Sequence, residues 1–167
     1  DGTELRVARI DDWASGAAVT GTVVLGGPTE SVLAPAWRDD TSLYAVSDAS
    51  GWWNLYLADL AGSAPRPLCP RTEEFAGPLW QLGGRPFAVL DDGRLAVVHG
   101  RGEARLGLLD PDTGVLDGLD LPYRVFQYVV AGAGSTVAAL AGGPQTPWSV
   151  LRVDPGGGVR VLLREVA

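Results

Sequence analysis

The sequence contains no methionine and no lysine, and it has one cysteine and one histidine. Each shortage removes chemistry. Without lysine there is no Schiff-base amine and no phosphate-cradling P-loop, since all 13 basic residues are arginine. Cys69 alone cannot form an internal disulfide and is read as a buried apolar thiol. One histidine and one cysteine do not make a zinc site, so no metal is expected. Long apolar runs are missing too. The longest candidate, residues 123–141, is broken by Arg124, Gln127 and two glycines, well short of the roughly 20 apolar residues that span a bilayer. No signal peptide opens the chain, and a cytoplasmic location is expected. With no methionine and a start at Asp1 inside a strand-like pattern, the chain is expected to be an excerpt of a longer protein, or a processed one.

What is present describes a folded, turn-rich protein: 167 residues, 46% apolar, with 23 glycines and 12 prolines. The net charge of −7 would repel nucleic acid and anionic membranes, so neither is an expected partner. No sustained 3.6-residue apolar stripe occurs, and short alternating runs separated by turns predict an all-β chain.

The stretch Ser47–Asp59 (S-D-A-S-G-W-W-N-L-Y-L-A-D) sets the pattern. A strand ends at Asp48, small residues with Gly51 at a positive φ form the turn, and an aromatic strand follows from Trp53 to Asp59. Trp53, Leu55 and Leu57 are expected on one face, with Trp52, Asn54 and Tyr56 on the other. Strands ending in aspartate recur at Asp11, Asp59, Asp110 and Asp154, with gaps of 48, 51 and 44 residues. Four antiparallel strands per period of that size is the pattern of a propeller blade, whose small sheets must stack to bury their faces. The expected architecture is a partial β-propeller of about three four-stranded blades (residues 31–69, 76–121 and 123–163) behind an N-terminal half-blade (4–25). A register pairing Trp37 in P-A-W with Trp80 in P-L-W is an alternative, and residues 70–84 read as a connection or an inserted strand.

The run from Glu30 to Leu60 resembles the propeller of prolyl oligopeptidase-type serine peptidases, with dipeptidyl and acylaminoacyl peptidases nearest and TolB-like repeats more distant. The resemblance rests on Trp37, Ser47-Asp48, Gly51 and Trp52-Trp53-Asn54-Leu55-Tyr56, residues that match the family's W-S-P-D-G turn, F-V-S-D-R-x-G strand and W-W-N-L-Y strand. Arg38-Asp39-Asp40-Thr41 replaces S-P-D-G and loses the glycine that supplies the left-handed position. The resemblance implies a parent enzyme in which the propeller caps an α/β-hydrolase domain and admits only short or unfolded peptides, with catalytic Ser, Asp and His in that second domain. The hydrolase domain and the peptide are the partners so implied.

Within the chain no complete catalytic site is expected. The nucleophile elbow G-x-S-x-G is absent, and His99 reads as an exposed strand-end residue. Gly132-Ala133-Gly134-Ser135-Thr136-Val137 imitates a dinucleotide fingerprint but ends in valine and meets Gly142-Gly143-Pro144 too soon for a helix, so it reads as a turn and no cofactor is expected. Asp110-x-Asp112-x-Gly114 departs from a calcium loop at later positions and reads as a hairpin turn. The doublets Asp11-Asp12, Glu73-Glu74 and Asp91-Asp92 fall where turns and connections are expected. Trp52 and Trp53 are the candidate binding face, weighed against a role as blade-to-blade core. A free-standing interaction propeller for protein or glycan partners is the alternative function. The half-blade's open strand edges are expected to draw chains into dimers.

Overall fold

In the computed structural model the described residues are 2–9, 21–77, 83–154, 156 and 158–164. Asp11, Asp12, Trp13, Leu79 and Trp80 lie outside them, so the repeat at Asp11 and the Trp37–Trp80 register do too.

The protein is all-β and forms a partial β-propeller, with one two-stranded and three four-stranded antiparallel sheets among the described residues. The chain divides into two compact units, Asp1–Pro67 and Leu68–Ala167. The first unit holds the ribbon of β1 (Glu4–Val7) and β2 (Thr22–Gly26) and the sheet of β3 (Val32–Trp37), β4 (Ser42–Ser47), β5 (Asn54–Asp59) and β6 (Arg66–Pro67). β4 is buried at all six positions, as expected for a central strand covered on both faces. Leu25, Leu43, Ala45 and Ala58 form a core against which Leu5, Val7, Val32 and Tyr56 pack, so ribbon and sheet bury each other's apolar faces.

The second unit holds β7 (Phe87–Val89), β8 (Leu95–Arg101), β9 (Glu103–Leu109) and β10 (Leu116–Gly118), and then β11 (Val125–Ala131), β12 (Val137–Gly143), β13 (Thr146–Val153) and β14 (Val159–Arg164). Each set is a simple up-and-down meander. Ala96, Leu106, Leu108, Phe126, Val129, Ala139 and Leu151 share one core between the two sheets. Edge strands β6 and β10 are only two and three residues long, which limits unwanted pairing. Among the described residues no helix is long and apolar enough to cross a membrane.

β5 starts at Asn54, one residue later than its pattern predicts, with Trp52 and Trp53 left in the loop. The cause is local. Ser50 Oγ and Asn54 Nδ2 both donate to the Trp52 carbonyl, at 3.0 and 3.4 Å, and the ladder stops at the Ser47–Asn54 pair. Gly51 takes the expected positive φ, 81°. Pro35 sits in a bulge of β3 between Leu33 and Ala36, with Ala34 at φ 52°.

Candidate functional site

Most of the family-signature residues form a clamp at one end of β4. Ser47 is fully buried; its hydroxyl donates to the Glu30 carboxylate and accepts the Ala49 N–H at 3.0 Å. The Asp48 carboxylate accepts the Ser31 N–H at 2.6 Å, while the Asp48 N–H donates to the Ser31 carbonyl at 3.2 Å. The Asp48 carbonyl then accepts the Gly51 N–H at 2.8 Å, closing the turn. Asn54 is 1% exposed. Ser47 and Asp48 therefore tie the end of β4 to the approach of β3, while Gly51 and Asn54 hold the β4–β5 loop closed on itself. Tyr56 packs on the core of the first unit.

The substituted turn finds another solution. Asp39 accepts the Thr41 N–H and hydroxyl, both at 2.8 Å, and the Ser42 hydroxyl at 2.9 Å. With those donors, the Thr41 amide first among them, its carboxyl is held down to about 2. No residue from Arg38 to Thr41 needs a positive φ.

Trp52 and Trp53 are both half-buried. Trp37 is the open one, 55% exposed at the end of β3. It borders a crevice of about 280 Å³ lined by Leu5, Val7, Pro35, Ala36 and Leu43.

His99 corrects its sequence reading: it is 8% exposed, not a surface residue. Its Nδ1 stands 2.8 Å from a Glu73 carboxylate oxygen, within hydrogen-bond reach. The ring stacks on Phe75 with centroids 5.7 Å apart, and Nε2 is buried without a partner. Beside it the Glu74 and Gly100 backbones exchange hydrogen bonds at 2.9 and 3.0 Å, which fastens residues 73–75 to β8. The missed signal was alternation: His99 shares a strand face with fully buried Leu95 and Val97. Cys69 is buried, and Arg71 Nε donates to its sulfur at 3.2 Å.

The remaining motifs are turns. Ala133–Ser135 is a single 3₁₀ turn leading into strand β12; Gly134 N–H donates to Asp91 at 2.8 Å, and Asp92 N–H to Ser135 Oγ at 3.0 Å. Asp110 accepts the N–H groups of Asp112 and Thr113, at 2.9 and 3.1 Å, with Gly114 at φ 75°. Those amides, Thr113's first, hold its carboxyl below the usual range. Arg94 does the same for Asp92 from 2.7 Å. Among the described residues no three His, Cys, Asp or Glu side chains gather as a metal site.

No family model matches the chain, and no curated protein does. Solved structures do. A puromycin-hydrolyzing peptidase of Mycobacterium tuberculosis is 52% identical over 100% of this chain and 26% of its own, with a TM-score of 0.91. The chain is a propeller segment of the prolyl oligopeptidase-type serine peptidases. A puromycin hydrolase is 38% identical over 98% of this propeller segment and 25% of its own chain, at TM-score 0.88. A prolyl endopeptidase, 16% identical at TM-score 0.58, shares the fold. The segment spans about a quarter of the length of the puromycin-hydrolyzing relatives.

Proposed function

We propose that this chain is the propeller part of a serine peptidase that acts on small aminoacyl compounds and short peptides, with puromycin as a model substrate. In this reading the propeller is scaffold and gate, and the nucleophile, base and orienting acid belong to a linked α/β-hydrolase domain. The observation that carries it is the 52% identity to a puromycin-hydrolyzing peptidase over the whole chain. The clamp around Ser47 and Asp48 fits a scaffold: its polar groups are spent on one another rather than aimed at a ligand. A second reading, a free-standing propeller for protein or glycan partners, draws on exposed Trp37 and its crevice.

The test is an activity comparison. The protein encoded by the complete gene is expected to hydrolyse puromycin, with all activity lost to a fluorophosphonate that modifies active serines. The 167-residue chain alone is expected to be inactive. Inhibitor-sensitive hydrolysis by the 167-residue chain would overturn this assignment, as would a gene that encodes no hydrolase domain.

A further inference from the structure

The chain crosses from β10 to β11 as an arch over the start of β9. One foot of the arch is the Leu119 N–H, which donates to the Leu106 carbonyl at 2.9 Å; the other is the Arg124 carbonyl, which accepts the Ala104 N–H, also at 2.9 Å. The feet stand two residues apart on β9 but five apart in the loop, so the loop lifts off the strand between them. Arg124 fastens the arch from within. Its Nη1 donates to the Leu121 and Tyr123 carbonyls at 2.7 and 2.9 Å, and its Nε stands 3.3 Å from the Glu103 carboxylate. The space left is a cavity of about 300 Å³ walled by β9 and the arch, all within the second unit.

Polar groups are left over around that cavity. By alternation along β9 the Leu106 N–H turns toward the arch with its carbonyl. The Leu119 carbonyl, which would meet that N–H in a regular ladder, takes the Leu121 N–H instead, at 3.0 Å. Arg105 and Asp120 both line the cavity, and among the described residues neither side chain has an ion-pair or hydrogen-bond partner. Tyr123 is 3% exposed, and among the described residues its hydroxyl has no partner either. Among those residues His99 Nε2 is the one side-chain atom both sealed from solvent and unpartnered. The Tyr123 hydroxyl therefore touches open space, and the cavity is the open space that Tyr123 lines. A buried phenol with no protein partner marks a site completed from outside.

The charges decide what fits. A plain cation would face Arg105 and Arg124, and a plain anion would face Asp120. A ligand with both a carboxylate and an ammonium group satisfies each, while Leu106, Leu119 and Leu121 offer apolar surface. We propose that this cavity binds a free α-amino acid with an apolar side chain. Its carboxylate goes to Arg105, the Tyr123 hydroxyl and the Leu106 N–H, its ammonium group to Asp120, and its side chain to the leucines. The inference stands without the peptidase reading, although hydrolysis of aminoacyl compounds releases ligands of this class.

The experiment is isothermal titration calorimetry of L-leucine and L-phenylalanine into the protein encoded by the complete gene. The protein is first treated with a fluorophosphonate to block active serines, and circular dichroism confirms that each variant is folded. At least one of the two amino acids is expected to bind with a Kd of about 1 mM or tighter. Its N-acetyl and amide derivatives, which lack one of the two charges, are expected to bind about tenfold more weakly. Arg105→Ala and Asp120→Asn are each expected to weaken binding about tenfold. Tyr123→Phe, which keeps the ring on Phe126, is expected to weaken it about threefold. Binding of neither amino acid would overturn the proposal. So would binding that folded Arg105→Ala and Asp120→Asn leave unchanged, which would put the ligand elsewhere in the protein, or derivatives that bind as tightly as the amino acid itself. None of these outcomes depends on whether the protein hydrolyses puromycin.

Discussion

Replacing Glu73 with alanine removes the hydrogen-bond partner that the His99 ring has among the described residues. His99 Nε2 is already bare, so Glu73→Ala leaves an 8%-exposed imidazole with neither nitrogen satisfied. One further unpaired buried polar atom costs about 1–3 kcal/mol. The competing losses are small. The Glu73 side chain is 31% exposed, so it is partly hydrated without its partner, and its ion pair with Arg71 at 3.9 Å is a surface pair of about 0–1 kcal/mol. The expected loss for Glu73→Ala is therefore about 1–3 kcal/mol. The decisive variant is His99→Phe, which keeps a ring on Phe75, worth about 0.5–1.5 kcal/mol, and removes both nitrogens. In that background Glu73→Ala has no buried ring nitrogen to strand and is expected to cost less than about 1 kcal/mol. Urea unfolding of the four proteins gives the coupling between the two sites directly. If Glu73→Ala costs the same with phenylalanine at 99 as with histidine, the hydrogen bond contributes nothing and the reasoning fails.

Two further outcomes are expected. Gly114→Ala should destabilise by about 1–3 kcal/mol more than Gly93→Ala, measured as the difference in urea midpoints. Both glycines have positive φ, 75° and 85°, but a Cβ at 114 would stand 2.7 Å from the Leu68 carbonyl, whereas one at 93 meets open space. Stability should also fall in acid through the turn carboxylates. Asp39 at about 2, with Asp92 and Asp110 also lowered, contributes stability above the ordinary value of 3.8 that is lost as pH drops toward 2. Asp39→Asn should flatten that acid limb, read from unfolding midpoints at pH 4.5, 3 and 2.

The turns were legible because their chemistry is local. Gly51 and Gly114 have the positive φ that their neighbours imply, and the three full sheets are separated by turns of that kind. What escaped depends on a second segment. The start of β5 is decided by two side chains competing for the Trp52 carbonyl, which alternation of apolar residues does not register. The burial of His99 needs residues 73–75 laid over β8, a placement that no short-range pattern in those residues announces. Ser47 and Asp48 could be recognised as a signature. That their partners are Glu30 and Ser31 required the register of β3 against β4.

The bulges in β3 and β11 share one backbone geometry, but the cross-sheet bond made at β11 has no counterpart at Pro35 of β3. In β11 the register shifts between Gln127 and Val130, Tyr128 is driven to φ 52°, and the Val129 N–H is released from the ladder to donate to the Arg85 carbonyl at 3.0 Å. That bond ties β11 to the approach of β7, and Val129 itself is fully buried. In β3 the shift between Leu33 and Ala36 places Ala34 at the same φ, 52°, and the position matching Val129 is Pro35, exposed and without an N–H to give. A left-handed non-glycine residue costs about 1–2 kcal/mol, so the bulge in β3 is held by something other than the cross-sheet bond. The shared cause is the position of the strand. Among the described residues each is the first strand of its sheet, paired on one side, where an extra residue disturbs a single ladder. The bulge is then free to serve the neighbouring sheet at Val129, and at Pro35 to leave an edge that opens onto the crevice beside Trp37.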